Sequence, residues 1–175
     1  MKKRLFALFI FCAFAMLIFA QSSGDTLVFK GKYYTYVISK GSIFSFIYRP
    51  EFRNTNVLVF PGTLEENTWY KIKGLNKRVD WEVKPILQPY GKELGKIGIN
   101  FKTDFEGNIF DVDFYFNRKD CESCLPFMEA FEEAAHAIME NIHVDIIVSS
   151  EGAKHIPEYD GILMLPVYID FNDKK

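Results

Sequence analysis

Between residues 25 and about 107, apolar and polar side chains alternate in short runs. They fall at Thr26–Lys30, Tyr33–Ser39, Ile43–Arg49, Val57–Phe60, Thr68–Lys73, Val79–Leu87 and Ile97–Lys102. A period of two is that of a strand with one buried face. Turn-forming residues separate the runs: Gly31-Lys32, Lys40-Gly41, Arg53–Asn56, Pro61-Gly62, Gly74 and Gly91. No apolar stripe of helical period extends for ten or more residues here. Several short strands at this spacing predict a β-rich region over residues 25–107, a small barrel or sandwich.

From residue 108 the period changes. Ile109–Phe116 alternates strictly, with Phe110, Val112, Phe114 and Phe116 on one face and Asp111, Asp113 and Tyr115 on the other. The two aspartates read as surface residues. A helix follows: Leu125, Met128, Phe131, Ala135, Ile138 and Ile142 form an apolar stripe, and Glu129, Glu132, Glu133, His136 and Glu140 make a solvated face. His143–Val148 reads as a buried strand, residues 149–160 as a connector, and residues 161–171 as an apolar strand containing Pro166. The expected fold class is therefore mixed α and β, with an α/β unit over 108–175 following the β-rich region.

The N-terminus adds a location. Lys2, Lys3 and Arg4 precede a 16-residue uncharged run, Leu5 to Ala20, with small residues at Ala20 and Ser22. This reads as an export signal over residues 1–22, or else an uncleaved anchor, and places the rest in the periplasm or outside the cell. Without residues 1–20 the chain keeps 18 of its 21 Lys and Arg against 23 Asp and Glu, a net charge of −5. That balance argues against a nucleic-acid partner. A membrane partner is expected only if the first segment stays attached.

Cys121 and Cys124 are the only cysteines outside that segment and form a C-x-x-C pair between the alternating strand and the helix. Thiols at a helix N-terminus are suited to reversible disulfide exchange, because exposed N–H groups stabilise a thiolate and the short spacing lets one sulfur attack the other. Flanking charges nearly cancel: Arg118 and Lys119 favour a thiolate, while Asp120 and Glu122 oppose it.

The segment 109–173 resembles the thioredoxin-like superfamily in its order of strand, C-x-x-C, helix, strand and proline-bearing strand. The resemblance implies that Cys121 attacks and Cys124 resolves. It also implies that Pro166 opens a later strand as a cis-proline beside the sulfurs, and that Leu165, Glu122 and Ser123 meet the client. Upstream, Thr68–Gly74 and Val79–Val83 are similar to strands of an OB-type barrel. The implied activity is thiol–disulfide exchange with protein thiols and disulfides, needing no cofactor. The alternative is a non-catalytic exported binding module whose β-rich region holds a ligand or envelope protein and whose cysteine pair is structural.

Other chemistries fare worse. C-x-x-C is half of a zinc site, and His136, His143 and His155 stand at no finger-like spacing, so no metal is expected. Covalent haem attachment needs His after the second Cys, where Leu125 stands. Trp69, Tyr70 and Trp81 read as β-core residues.

Overall fold

The computed structural model describes residues 26–41, 44–52, 70–117, 120–155 and 162–172. Eight strands lie within them: β1 Thr26–Lys30, β2 Thr35–Lys40, β3 Ser45–Tyr48, β4 Tyr70–Lys73, β5 Lys96–Asp104, β6 Ile109–Phe116, β7 Asp145–Val148 and β8 Ile162–Asp170. The helices are α1 Leu75–Glu82, α2 Lys84–Leu87, α3 Gly91–Leu94, α4 Met128–Asn141 and α5 Gly152–His155. Six strands make one sheet in the order β1-β2-β3-β6-β5-β8, every neighbouring pair antiparallel. β4 and β7 pair separately as an antiparallel ribbon.

Alternation decides which way the sheet faces. Leu27, Phe29, Tyr36, Ile38, Ile47, Ile97, Ile99, Phe101, Val112, Phe114, Phe116, Leu163, Leu165, Val167 and Ile169 are all buried, on one face. α4 packs across that face. Its Phe131 ring lies 4.8 Å from Phe114 and 5.2 Å from Phe116, between centroids. Ala130, Ala134 and Ala135 are buried beside it; their small side chains keep the helix close to the strands. The stripe expected for this helix is buried from Met128 to Ile142. Leu125 is 38% exposed, because a 3₁₀ helix over Glu122–Phe127 precedes α4 and turns that residue outward.

Three expectations need correcting. Val79–Leu87 is helical, not a strand. Leu75, Val79, Val83 and Leu87 recur every fourth residue and are all buried, which is the period of a helix face. The strand-like cue was Trp81 between Val79 and Val83, and Trp81 is 79% exposed. Secondly, the fold is α+β as expected, but the six-stranded sheet is open, with β1 and β8 at its ends. No barrel or sandwich closes among the described residues.

Thirdly, residues 108–175 are not a thioredoxin-like unit. β6 enters the sheet between β3 and β5, and β8 runs antiparallel to β5, so strands from both parts of the chain alternate in one sheet over one continuous core. The boundary drawn between residues 107 and 108 falls in the turn between β5 and β6.

Residues 1–25, Val57–Phe60 and Trp69 lie outside the described residues. Among the described ones, no helix is long and apolar enough to cross a membrane.

Candidate functional site

The C-x-x-C segment is a tight turn held by its own side chains. Asp120 accepts the Ser123 N–H at 2.7 Å, and the Ser123 hydroxyl donates to the Asp120 carbonyl at 2.9 Å. Cys124 N–H bonds the Cys121 carbonyl at 3.1 Å. Both sulfurs point inward. Cys121 Sγ donates to the Ile38 carbonyl of β2 at 3.5 Å, and Cys124 Sγ to the Asp120 carbonyl at 3.6 Å. Cys121 is 9% exposed and Cys124 fully buried, whereas Glu122 points outward. Met128, where the long helix begins, comes four residues after Cys124, because Pro126 sits in the 3₁₀ turn between them.

Pro166 and Leu165 do not join this cluster. Pro166 is at the centre of β8, opposite Asn100, and exposed on the face away from α4. β2, which receives the Cys121 sulfur, is four strand steps from β8, roughly 19 Å at the usual interstrand spacing. Every peptide bond among the described residues is trans, that of Pro166 included. Leu165 is buried under the helices, in register with Phe101. A proline is accommodated here because β8 is an edge strand among the described residues, where one side needs no ladder donor.

The face of the sheet away from α4 carries a buried charge cluster that the alternation of β6 does not announce. Asp111 is fully buried there, not at the surface. Arg49 Nε donates to Asp111 Oδ1 at 2.6 Å and Lys102 Nζ to Asp111 Oδ2 at 2.7 Å. Lys102 also reaches Asp113 at 3.2 Å and the Phe52 carbonyl at 3.4 Å, so its three protons have three acceptors. The Arg49 guanidinium lies between the Tyr34 and Phe52 rings, 4.7 and 4.6 Å from their centroids, and donates to the Phe110 carbonyl. Phe110 is the extra residue where the β5–β6 register shifts, which turns its carbonyl toward Arg49. Burial pushes the Asp113 carboxyl up to about 6; Lys102 opposes that shift, and Asp111 adds to it.

Farther along the same face an aromatic row crosses the sheet. Phe46 of β3 is opposite Tyr115 of β6, Tyr115 opposite Gly98 of β5, and Gly98 opposite Tyr168 of β8. The Tyr115 ring leans over Gly98, where any Cβ would come within 2.0 Å of it. Ring centroids stand 6.2 Å apart for Phe46–Tyr115, 6.0 Å for Phe44–Tyr115 and 5.9 Å for Tyr115–Tyr168. The Tyr115 phenol is raised well above its ordinary value by burial and by its hydrogen bond to Tyr168. Phe46 is 39% exposed and Tyr168 60%. A cavity of about 500 Å³ opens here, lined by Phe44, Gly98, Tyr115, Tyr168, Lys96 and Asn117 among others.

A larger hollow of about 670 Å³ lies between the β1–β2 turn and α4. Part of its polar lining is already engaged, while His136 Nδ1 is buried with no hydrogen-bond partner among the described residues. Glu132, expected on the solvated helix face, is 5% exposed and accepts the N–H groups of Lys32, Tyr33 and Tyr34 at 2.8, 2.7 and 3.0 Å. Gly31 admits that carboxylate, since a Cβ there would meet Oε1 at 2.2 Å. Tyr33 stacks on His136 at 4.1 Å and receives Lys32 Nζ on its hydroxyl at 2.8 Å. The remaining carboxylates, Glu129, Glu133 and Glu140, are exposed helix surface.

Part of this is legible in the sequence. Lys102, Asp111 and Asp113 each sit at the polar phase of an alternating strand, which signals a shared face but not its burial. Glu132 carries no local signal, since its partners are about a hundred residues away.

No family model matches the chain, and no curated protein does. Among solved structures it is similar to the crystal structure of a DUF5043 family protein from Bacteroides uniformis. That protein is 16% identical, with 83% of this chain and 89% of that chain covered and a TM-score of 0.57. At that identity the likeness shows a common fold and nothing more. It overturns the thioredoxin-like resemblance, and with it the roles that the resemblance gave Pro166 and Leu165.

Proposed function

We propose that this chain is an exported, non-catalytic binding protein. Its open sheet face holds the ligand, and Cys121 and Cys124 brace the turn that leads into α4. The observation that carries this reading is the row Phe46, Tyr115, Gly98, Tyr168. Exposed rings, Phe46 and Tyr168, flanking the half-buried Tyr115 beside a concave, mostly apolar hollow with a few polar groups are the ordinary make-up of a small-ligand site. Folding alone does not explain them, because the core is built on the opposite face. The structural role of the cysteines is supported by their direction: an attacking sulfur must be reached by its client, and these sulfurs bond main-chain carbonyls beneath the surface.

The test is ring-resolved NMR of tyrosine side chains during titration with phenol, indole and cyclohexanol. Signals of Tyr115 and Tyr168 should move, while those of Tyr70 and Tyr90 should not. A Cys124→Ser variant run in parallel should leave no protein trapped on Cys121. Trapped clients together with unmoved Tyr115 and Tyr168 signals would restore disulfide exchange and end the binding-protein reading.

A further inference from the structure

We infer that the ligand of the open face is a neutral glycan, a chain of pyranoside rings laid across the strands along Phe46, Tyr115 and Tyr168. This rests on reading that face as the ligand surface, and adds the class of ligand. The row crosses four adjacent strands, β3, β6, β5 and β8, and its ring centroids, 6.2 and then 5.9 Å apart, span at most about 12 Å from Phe46 to Tyr168. That is long enough for more than one ring of a linear ligand. The Tyr115 ring fills the space over Gly98 and the Tyr168 ring stands at 87° to it, so the surface is a series of ring faces and edges, not one slab.

A pyranoside presents apolar C–H faces and a rim of hydroxyls. The row matches both. Ring faces meet the C–H side, and the Tyr115 and Tyr168 hydroxyls sit among them as donors and acceptors. Polar groups that pair with hydroxyls flank the rings: Asn117 and Lys96 line the hollow, and Asn100 stands one step along the same face of β5. The charges nearest the row do not call for an ionic ligand. Lys102, Asp111, Asp113 and Arg49 neutralise one another one or two residue pairs farther along the strands, and the Lys96 ammonium rests 5.2 Å from the Tyr168 ring centroid.

Other occupants fit less well. An extended peptide adds to a sheet at its edge, through main-chain hydrogen bonds, and not across a face. A lipid chain calls for a dry apolar enclosure; this hollow is open, and paired phenols line it.

The experiment is calorimetric titration of the purified protein with three neutral probes. They are the α-1,4- and β-1,4-linked glucose hexamers and the β-1,4-linked N-acetylglucosamine hexamer. At least one should bind, and Tyr168→Ala or Phe46→Ala should weaken it by roughly tenfold, the loss of one ring contact. Both side chains are exposed, so circular dichroism should show each variant folded. Trp81→Ala, on the exposed side of α1, should bind as the parent does. If no hexamer binds while phenol or indole still moves the Tyr168 signal, the glycan assignment falls and the binding face stands. If neither binds, both readings fall. A hexamer held equally well by parent, Tyr168→Ala and Phe46→Ala also overturns the assignment.

Discussion

Asp113 is the residue whose ionisation the fold has altered in the most testable way. Its carboxyl is pushed up to about 6 from an ordinary 3.8, because burial outweighs the pull of Lys102. The folded protein therefore holds this proton more tightly than the unfolded chain does. The resulting stabilisation is fully present below about pH 3.8 and is lost as pH rises through about 6. Stability curves of the parent and Asp113→Asn, measured by urea titration from pH 4 to pH 8, should differ in slope between about 4 and 6 and run parallel above. Identical slopes would mean that Asp113 titrates as an ordinary surface carboxylate. Glu132 makes a different use of burial: one carboxylate collects three main-chain N–H groups and so fixes the β1–β2 turn against α4. Each of these residues is a plain acid in the sequence. Only the neighbours brought to it give it a role.

Among the elements, β8 has the most to lose from its place. It is a nine-residue, largely apolar strand at one end of the sheet. Such an edge is a template for another strand, and native proteins blunt it. Pro166, at its midpoint, interrupts the run of N–H donors that an incoming strand would use. Pro166→Thr restores that donor with a good strand former. The variant should self-associate at concentrations where the parent stays as it is, read by light scattering and sedimentation velocity. Unchanged association would mean that the edge is blunted by something else. The helix over Leu75–Glu82 makes the complementary point. Its four-residue apolar period is visible in the sequence once Trp81 is set aside. Nothing local says that Trp81 faces out, because a tryptophan flanked by valines at alternate positions is also how a buried strand reads.

On the scale of the whole molecule, the sheet binds the first and last described strands into one unit. β1 to β3 come first in sequence, β6 attaches to β3, and β8 closes the far side through β5. Phe131 sits where α4 meets the middle of that sheet, against Phe114 and Phe116. Phe131→Ala should cost about 3–5 kcal/mol. Calorimetry should show a single unfolding transition in parent and variant alike, with far-ultraviolet and aromatic signals lost together. Two separable transitions would return the chain to two domains split near residue 107. The sequence by itself determined the period of most elements, the apolar face of α4 and of β5, β6 and β8, and the position of the C-x-x-C turn, because those follow from short-range alternation. Strand order, the inward direction of the two sulfurs, the distance between them and Pro166, and the aromatic row on the open face were decided only by tertiary structure. Each depends on residues tens of positions apart meeting in register, and local periodicity carries no record of which strand lies beside which.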